Sequence, residues 1–310
     1  DKSPKIAVLE STFAARQKSQ MTGLVGSSLS FVMHSLFKKA ELPFLILFNN
    51  KEEAAYYLND LEQLINTEDV LFYPSSYRRP YQIEETDNAN VLLRAEVLNR
   101  INSRKKPAII VSYAEAIFEK VVTRKELEKN TLKLSVEDKL SIDFINETLF
   151  EYNFKRVDFV TEPGEFSVRG GIIDVFSFSN DNPYRIEFFG NEIDSIRSFD
   201  VETQLSIEKL KKISIIPNVE NKLLQENRES FLDYINEKTV LAIQNTELLG
   251  QQLDKLFDKA NEAFEKLSKD IQHAPPEDLF LNQKQFLKRA LDFSVIELHA
   301  NAVFKTDKKV

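Results

Sequence analysis

"PGEFSVRGGIIDVFSFSNDNPYRIEFFGNEIDSIRSFD", residues 163–200, is rich in β-branched and aromatic residues and is cut at short intervals by Gly, Pro and Asn. Such runs read as strands, and turns this short leave no room for crossover helices, so the strands must pair antiparallel. Strands are expected over 155–161, 165–177, 183–189, 192–199 and 211–216, with a single helix near 141–152. Pro163-Gly164 suits a type II turn, and Gly170-Gly171 inside a strand pattern reads as a bulge or a close backbone approach. Strand side chains alternate between faces. Phe188 therefore falls with Tyr184 and Ile186 on an apolar face, while Phe189 falls with Arg185 and Glu187 among charges. By the same parity Arg169 shares a face with Ser167.

Outward from this stretch the rhythm changes on both sides. Towards the N-terminus, the β-rich runs "KIAVLE" (5–10), "PFLILF" (43–48), "DVLFYP" (69–74) and "PAIIVS" (107–112) alternate with helical patterns from about Ser27, over 51–65 and over 88–102. Past Pro217 the same alternation returns: helix 222–236, strand 239–244, helix 246–269, helix 282–290 and strand 293–300. Strands that are apolar throughout and separated by helices indicate a parallel sheet covered on both faces. The expected fold is therefore α/β: a Rossmann- or RecA-like parallel-sheet domain built from 1–127 and 218–310, interrupted by an inserted antiparallel α+β domain at 128–217.

Composition narrows the function. A chain of 310 residues is long enough for two cores, and 42% hydrophobic with 29% charged residues is the balance of a soluble globular protein. The absence of cysteine excludes a disulfide scaffold and a thiolate metal site, and three scattered histidines, His34, His273 and His299, argue against a zinc centre. A reducing, cytoplasmic home fits that usage, and neither a signal-peptide layout nor a run long enough to span a bilayer is present. The net charge of −8 disfavours gripping duplex phosphates.

The stretch "MTGLVGSSLSFVMHSLF" (21–37) lies where a phosphate-binding loop would open a helix. A working loop reads G-x-x-x-x-G-K-[ST], with backbone amides and the lysine on phosphate and the hydroxyl on Mg²⁺. Here Met21 stands for the first glycine, Gly26 is the second, Ser27 replaces the lysine and Ser28 supplies the hydroxyl. Two readings stand side by side: a Ser-capped helix start after a glycine turn, and a degenerate nucleotide loop. "EETD" (84–87) reads as a solvated loop and "RKK" (104–106) as a solubilising turn. Pairs such as Glu52-Glu53 have no nucleophile or metal ligand near them in sequence, so no catalytic residue is assigned.

The order of strand, R-G, strand, R-hydrophobic-acid-F-F and I-D-S-[IL]-R within 163–200 resembles the second domain of the transcription-repair coupling factor family (Mfd) and, more distantly, of the excision-repair helicase UvrB. The resemblance extends over the chain as the UvrB-like N-terminal module: domain 1a, an inserted domain 2, then domain 1b. It implies a module that recruits UvrA without ATPase activity of its own, through Arg169, Arg185 and Phe189, all three facing solvent. It implies that RNA polymerase and DNA are engaged by other domains of a full-length translocase, whose motor uses ATP and Mg²⁺. None of the motor's motifs is found, so the chain reads as a fragment. Ser27 in place of lysine favours the coupling factor over the alternative, a UvrB-like ATP-dependent damage-binding protein. Leu205 departs from the family, where arginine is frequent.

Overall fold

Runs that are largely apolar form the middle of the larger sheet, as burial on both faces requires. In the computed structural model, which describes residues 4–76, 81, 88–103, 106–178, 180, 182–217, 228–267 and 274–310, Phe44–Phe48, Ile109–Tyr113 and Val240–Ile243 are buried throughout. His273, the acidic run at 84–87, Arg104, Lys105 and the start of the helix expected over 222–236 lie outside the described residues. The sheet has seven strands in the order Lys308–Lys309, Lys18–Gln20, Ser294–Glu297, Val240–Ile243, Phe44–Phe48, Ile109–Tyr113, Val70–Phe72. Every pairing is parallel. Strands from the two ends of the chain thus share one sheet, as an insertion demands. Asparagine caps start the helices beside it: Asn50 accepts from Glu53 N at 2.8 Å and Asn245 from Leu248 N at 3.0 Å.

The first strand differs from expectation. "KIAVLE" belongs to a helix, Pro4–Phe13, because its buried residues Ile6, Leu9 and Phe13 recur at helical spacing. The strand next to it is instead Lys18-Ser19-Gln20, buried yet wholly polar and paired on both sides. Backbone carbonyls make that possible: Lys18 Nζ donates to Arg16 O at 3.2 Å, Leu291 O at 2.9 Å and Phe293 O, and Gln20 Nε2 donates to His299 O and Ala300 O. Burial lowers the Lys18 ammonium pKa below its ordinary value. Lys106, read as part of a solubilising turn, pairs at 2.5 Å with the buried carboxylate of Asp69, which Arg100 also holds. Between Ser230 and Ile235 the structure has one short helix, Phe231–Tyr234, preceded by the strand Arg228–Glu229.

A second compact unit comprises Val91–Asn99 and Val122–Asn227. Its main sheet has six strands in the order Ser206–Leu210, Glu192–Phe199, Tyr184–Phe189, Ile172–Val175, Glu165–Arg169, Lys155–Arg156. All neighbours are antiparallel except the last pair, so the sheet is mixed at one edge. A separate antiparallel pair joins Leu132–Ser135 to Lys212–Ile215. Phe166, Ile173, Ile186, Ile193 and Ile196 are buried on one face, and Ile145 and Leu149 are the buried residues of the helix Ile142–Glu151. The run 165–177 is not one strand. Gly170, at φ +59°, turns it into a hairpin in which Arg169 pairs with Ile172. Gly171 provides the close approach: its carbonyl accepts from Phe188 N at 2.8 Å, and a Cβ there would sit 3.1 Å from Phe188 O. The bulge lies elsewhere, where pairing with Glu192–Phe199 shifts between Glu187 and Phe188. Gly164, at φ +88°, takes the turn after Pro163, and a Cβ there would strike the Phe178 ring at 2.6 Å.

Candidate interaction face and glycine loop

Directly opposed residues in antiparallel strands project on the same side. One row on the outer face therefore runs Ser167, Asp174, Arg185, Arg197, Lys209, and the next runs Arg169, Ile172, Glu187, Ser195. Four cations and two acids stand in these rows, and one of the acids is hidden. Asp174 has a side chain only 1% exposed, in the otherwise apolar run "IIDVF". A carboxylate so placed must be hydrogen-bonded and paired to stay ionised. It accepts from Arg185 Nε at 2.7 Å and Nη2 at 2.9 Å, a two-pronged contact, and from Arg169 Nη2. These hydrogen bonds raise the Arg185 pKa above its ordinary value, against the opposing effect of burial.

Aromatic rings complete the setting. The Arg185 guanidinium lies 4.4 Å from the centroid of Phe199, which is buried with Val160 and Phe176 in a small cluster. Arg169 lies 5.2 Å from the centroid of Phe159, a ring 62% exposed, and both border a cavity of about 510 Å³ together with Arg156 and Ser167. Glu187 is taken by Arg197 and by Ser195 Oγ at 2.7 Å. Phe189, beside the turn at Gly190, is 85% exposed.

The structure thus brings Arg169 and Arg185 together on one carboxylate and leaves Phe189 four residues further along the strand, roughly 13 Å away at strand rise. Phe189 faces solvent as expected. Arg185 does so only in small part, because Asp174 and Phe199 occupy two sides of it and its side chain is 17% exposed. Phe188 is half-buried rather than buried. Sequence reading missed Asp174, Phe159 and Phe199; an acid flanked by Ile172, Ile173, Val175 and Phe176 was the available signal, since such an acid needs a cation across the strand. Leu205, 68% exposed, follows Gln204, whose carbonyl and side chain each lie 3.4 Å from Arg185.

The glycine loop has another character. Met21 is buried and donates its N–H to Glu297 O at 2.9 Å, prolonging the sheet. Gly23 and Gly26 take φ of +83° and +56°. Ser28 Oγ turns back to Val25, 2.8 Å from both its N and its O, and Ser27 makes no side-chain cap, its hydroxyl standing 3.3 Å from Tyr56 OH. Tyr57 OH donates to Gly26 O at 3.3 Å, and its ring stacks on Phe48. Among the described residues no group of three or more His, Cys, Asp or Glu is placed to hold a metal, and no helix is long and apolar enough to cross a membrane.

The UvrB interaction domain family matches residues 132–220, the span that carries Asp174 and all three predicted contact residues. This part of the chain is similar to UvrB interaction domains. The similarity runs beyond it. The transcription-repair-coupling factor of Bacillus subtilis is 32% identical over 216 residues, 70% of this chain and 18% of that protein. That of Myxococcus xanthus is 28% identical over 256 residues, 78% of this chain and 21% of that protein. UvrABC system protein B of Clostridium botulinum is 30% identical over 210 residues, 64% of this chain and 32% of that protein. The chain therefore spans about a fifth to a third of the length of these curated relatives. The larger parallel sheet interleaves strands from both ends of the chain.

Proposed function

We propose that this chain is the UvrA-recruiting module of a transcription-repair coupling factor, in which Arg169, Arg185 and Phe189 of the UvrB interaction domain contact UvrA. The observation that carries the reading is a sheet face holding two clustered arginines and one fully presented aromatic ring, inside a domain family named for interaction. Arginine offers a planar fork of donors for carboxylates, and an exposed ring adds apolar area beside it, the pairing that interface hot spots favour. In this reading residues 128–217 act as a self-contained insertion, and the module works in the cytoplasm in nucleotide excision repair. It has no ATPase activity of its own. RNA polymerase, DNA, ATP and Mg²⁺ are engaged by other parts of the full-length protein. Support for a loop without nucleotide comes from Ser27 at the lysine position and from Ser28, whose hydroxyl is committed to Val25.

A UvrB-like, ATP-dependent damage-binding protein is the rival reading, favoured by the 30% identity to UvrABC system protein B. Calorimetric titration of the chain with UvrA, and separately with Mg-ATP, separates the two. The coupling-factor reading expects saturable heat with UvrA and none with Mg-ATP; a micromolar nucleotide site would overturn it.

A further inference from the structure

We propose that Asp174 is the positioning residue of the interaction face: its buried carboxylate fixes the guanidinium groups of Arg169 and Arg185 so that their remaining donors meet carboxylates on UvrA. This rests on the UvrA reading of the face and deepens it by naming what holds the arginines in place.

The geometry is specific. One carboxylate, closed off from water, takes hydrogen bonds from arginines on two different strands. Arg185 is held on one side by Asp174 and on another by the Phe199 ring, so its plane is set before any partner arrives. A guanidinium has five donors. Arg185 gives two to Asp174, and its other contacts are long, 3.4 Å from Nη1 to Gln204 O and 3.4 Å from Nη2 to Gln204 Oε1. Arg169 gives one to Asp174 and reaches Asp158 O only at 3.4 Å. Donors are therefore left over on both. Two cations around one acid leave a net positive charge, which favours an acidic partner surface. A flexible arginine loses rotamer freedom when it binds, whereas one already pinned does not, so removing the pin weakens association even though Asp174 itself touches nothing on the partner.

The test is Asp174→Asn, which keeps the volume and removes the charge. UvrA affinity is measured by titration for the native chain, for Asp174→Asn, for Arg169→Ala/Arg185→Ala and for the triple variant. Asp174→Asn is expected to weaken binding about tenfold. In the background lacking both arginines it should change nothing further, a non-additivity that a merely structural role would not produce. A second readout needs no UvrA: the side-chain Nε–H signal of Arg185 in nitrogen-edited NMR should be sharp and slow to exchange in the native chain and lost in Asp174→Asn. An unchanged signal overturns the proposal, as does an undiminished affinity where the double arginine variant binds weakly. If the native chain and the double arginine variant bind UvrA equally, the UvrA reading fails, and the NMR signal alone decides whether Asp174 holds the arginines. Should Asp174→Asn not fold, Arg185→Lys keeps the charge but forfeits the two-pronged contact, and full affinity in that variant counts against the proposal.

Discussion

The glycine loop over Gly23–Ser28 and the arginine face around Asp174 are two places where the chain leaves ordinary hydrophobic patterning, and they treat their polar groups in opposite ways. In the loop, Ser28 is turned back on Val25, Ser27 faces Tyr56, and Tyr57 covers the Gly26 carbonyl. On the face, Arg169 and Arg185 share one carboxylate and have donors to spare. Polar groups that already satisfy each other leave a backbone turn with less to offer a ligand. A surplus of oriented donors over a packed sheet is a better marker.

The largest test of that contrast concerns the sheet beneath the arginines. Phe166, fully buried and edge-on to Phe150 at 5.2 Å, should cost about 3–5 kcal/mol when changed to Ala, read as a fall in melting temperature of the inserted unit. Phe188→Ala should cost clearly less, since that ring is half-buried. Equal losses would mean that the bulge does not relieve Phe188.

Next comes an alkaline effect from the same sheet. Burial pushes the Tyr184 phenol up to about 12, from an unfolded value of 10.0. A raised folded value means that the native state keeps the proton longer than the unfolded chain. Its contribution is therefore whole below pH 10 and is lost as pH climbs from 10 towards 12, about 2–3 kcal/mol in all. Denaturant melts across that window should fall for the native chain and fall less for Tyr184→Phe; parallel slopes would place the titration elsewhere.

Smaller in energy but closer to function, Arg169→Ala, Arg185→Ala and Phe189→Ala should each weaken UvrA binding by about 2 kcal/mol, near thirtyfold. Phe189→Ala should leave melting unchanged because the ring is 85% exposed. An early melt with full affinity would put Phe189 in the core and remove it from the face. The smallest expected effect is none at all: Mg-ATP titrated into the chain should give no saturable heat, and the loop would regain standing as a site if it did.

Periodicity made most of the fold legible. The apolar runs at 44–48, 109–113 and 240–243 could only be buried strands, and the short turns between 163 and 200 could only join an antiparallel unit. What it could not reveal was the strand Lys18–Gln20, because its polar side chains are satisfied by carbonyls brought from residues 291–300. The helix Pro4–Phe13 was hidden by a run whose β-branched residues mimic a strand. At the candidate site, strand parity placed Arg185 and Phe189 on one face. The same parity gave no warning that a carboxylate from the neighbouring strand would occupy Arg185, since register is a tertiary property.

The interleaving of the large sheet has a consequence for how the chain is made. Lys18 pairs with Val295, and Phe44–Phe48 lies between Ile109–Tyr113 and Val240–Ile243. A ribosome delivers these partners far apart in time, so the sheet stays open along one side of Phe44–Phe48 until residue 243 has emerged, and the strand Lys18–Gln20 waits for residue 295. The six-stranded sheet needs only neighbours in sequence and can close first. During synthesis the part of the chain that carries the arginine face would then be finished while the larger sheet still exposes one open side of the hydrophobic strand Phe44–Phe48.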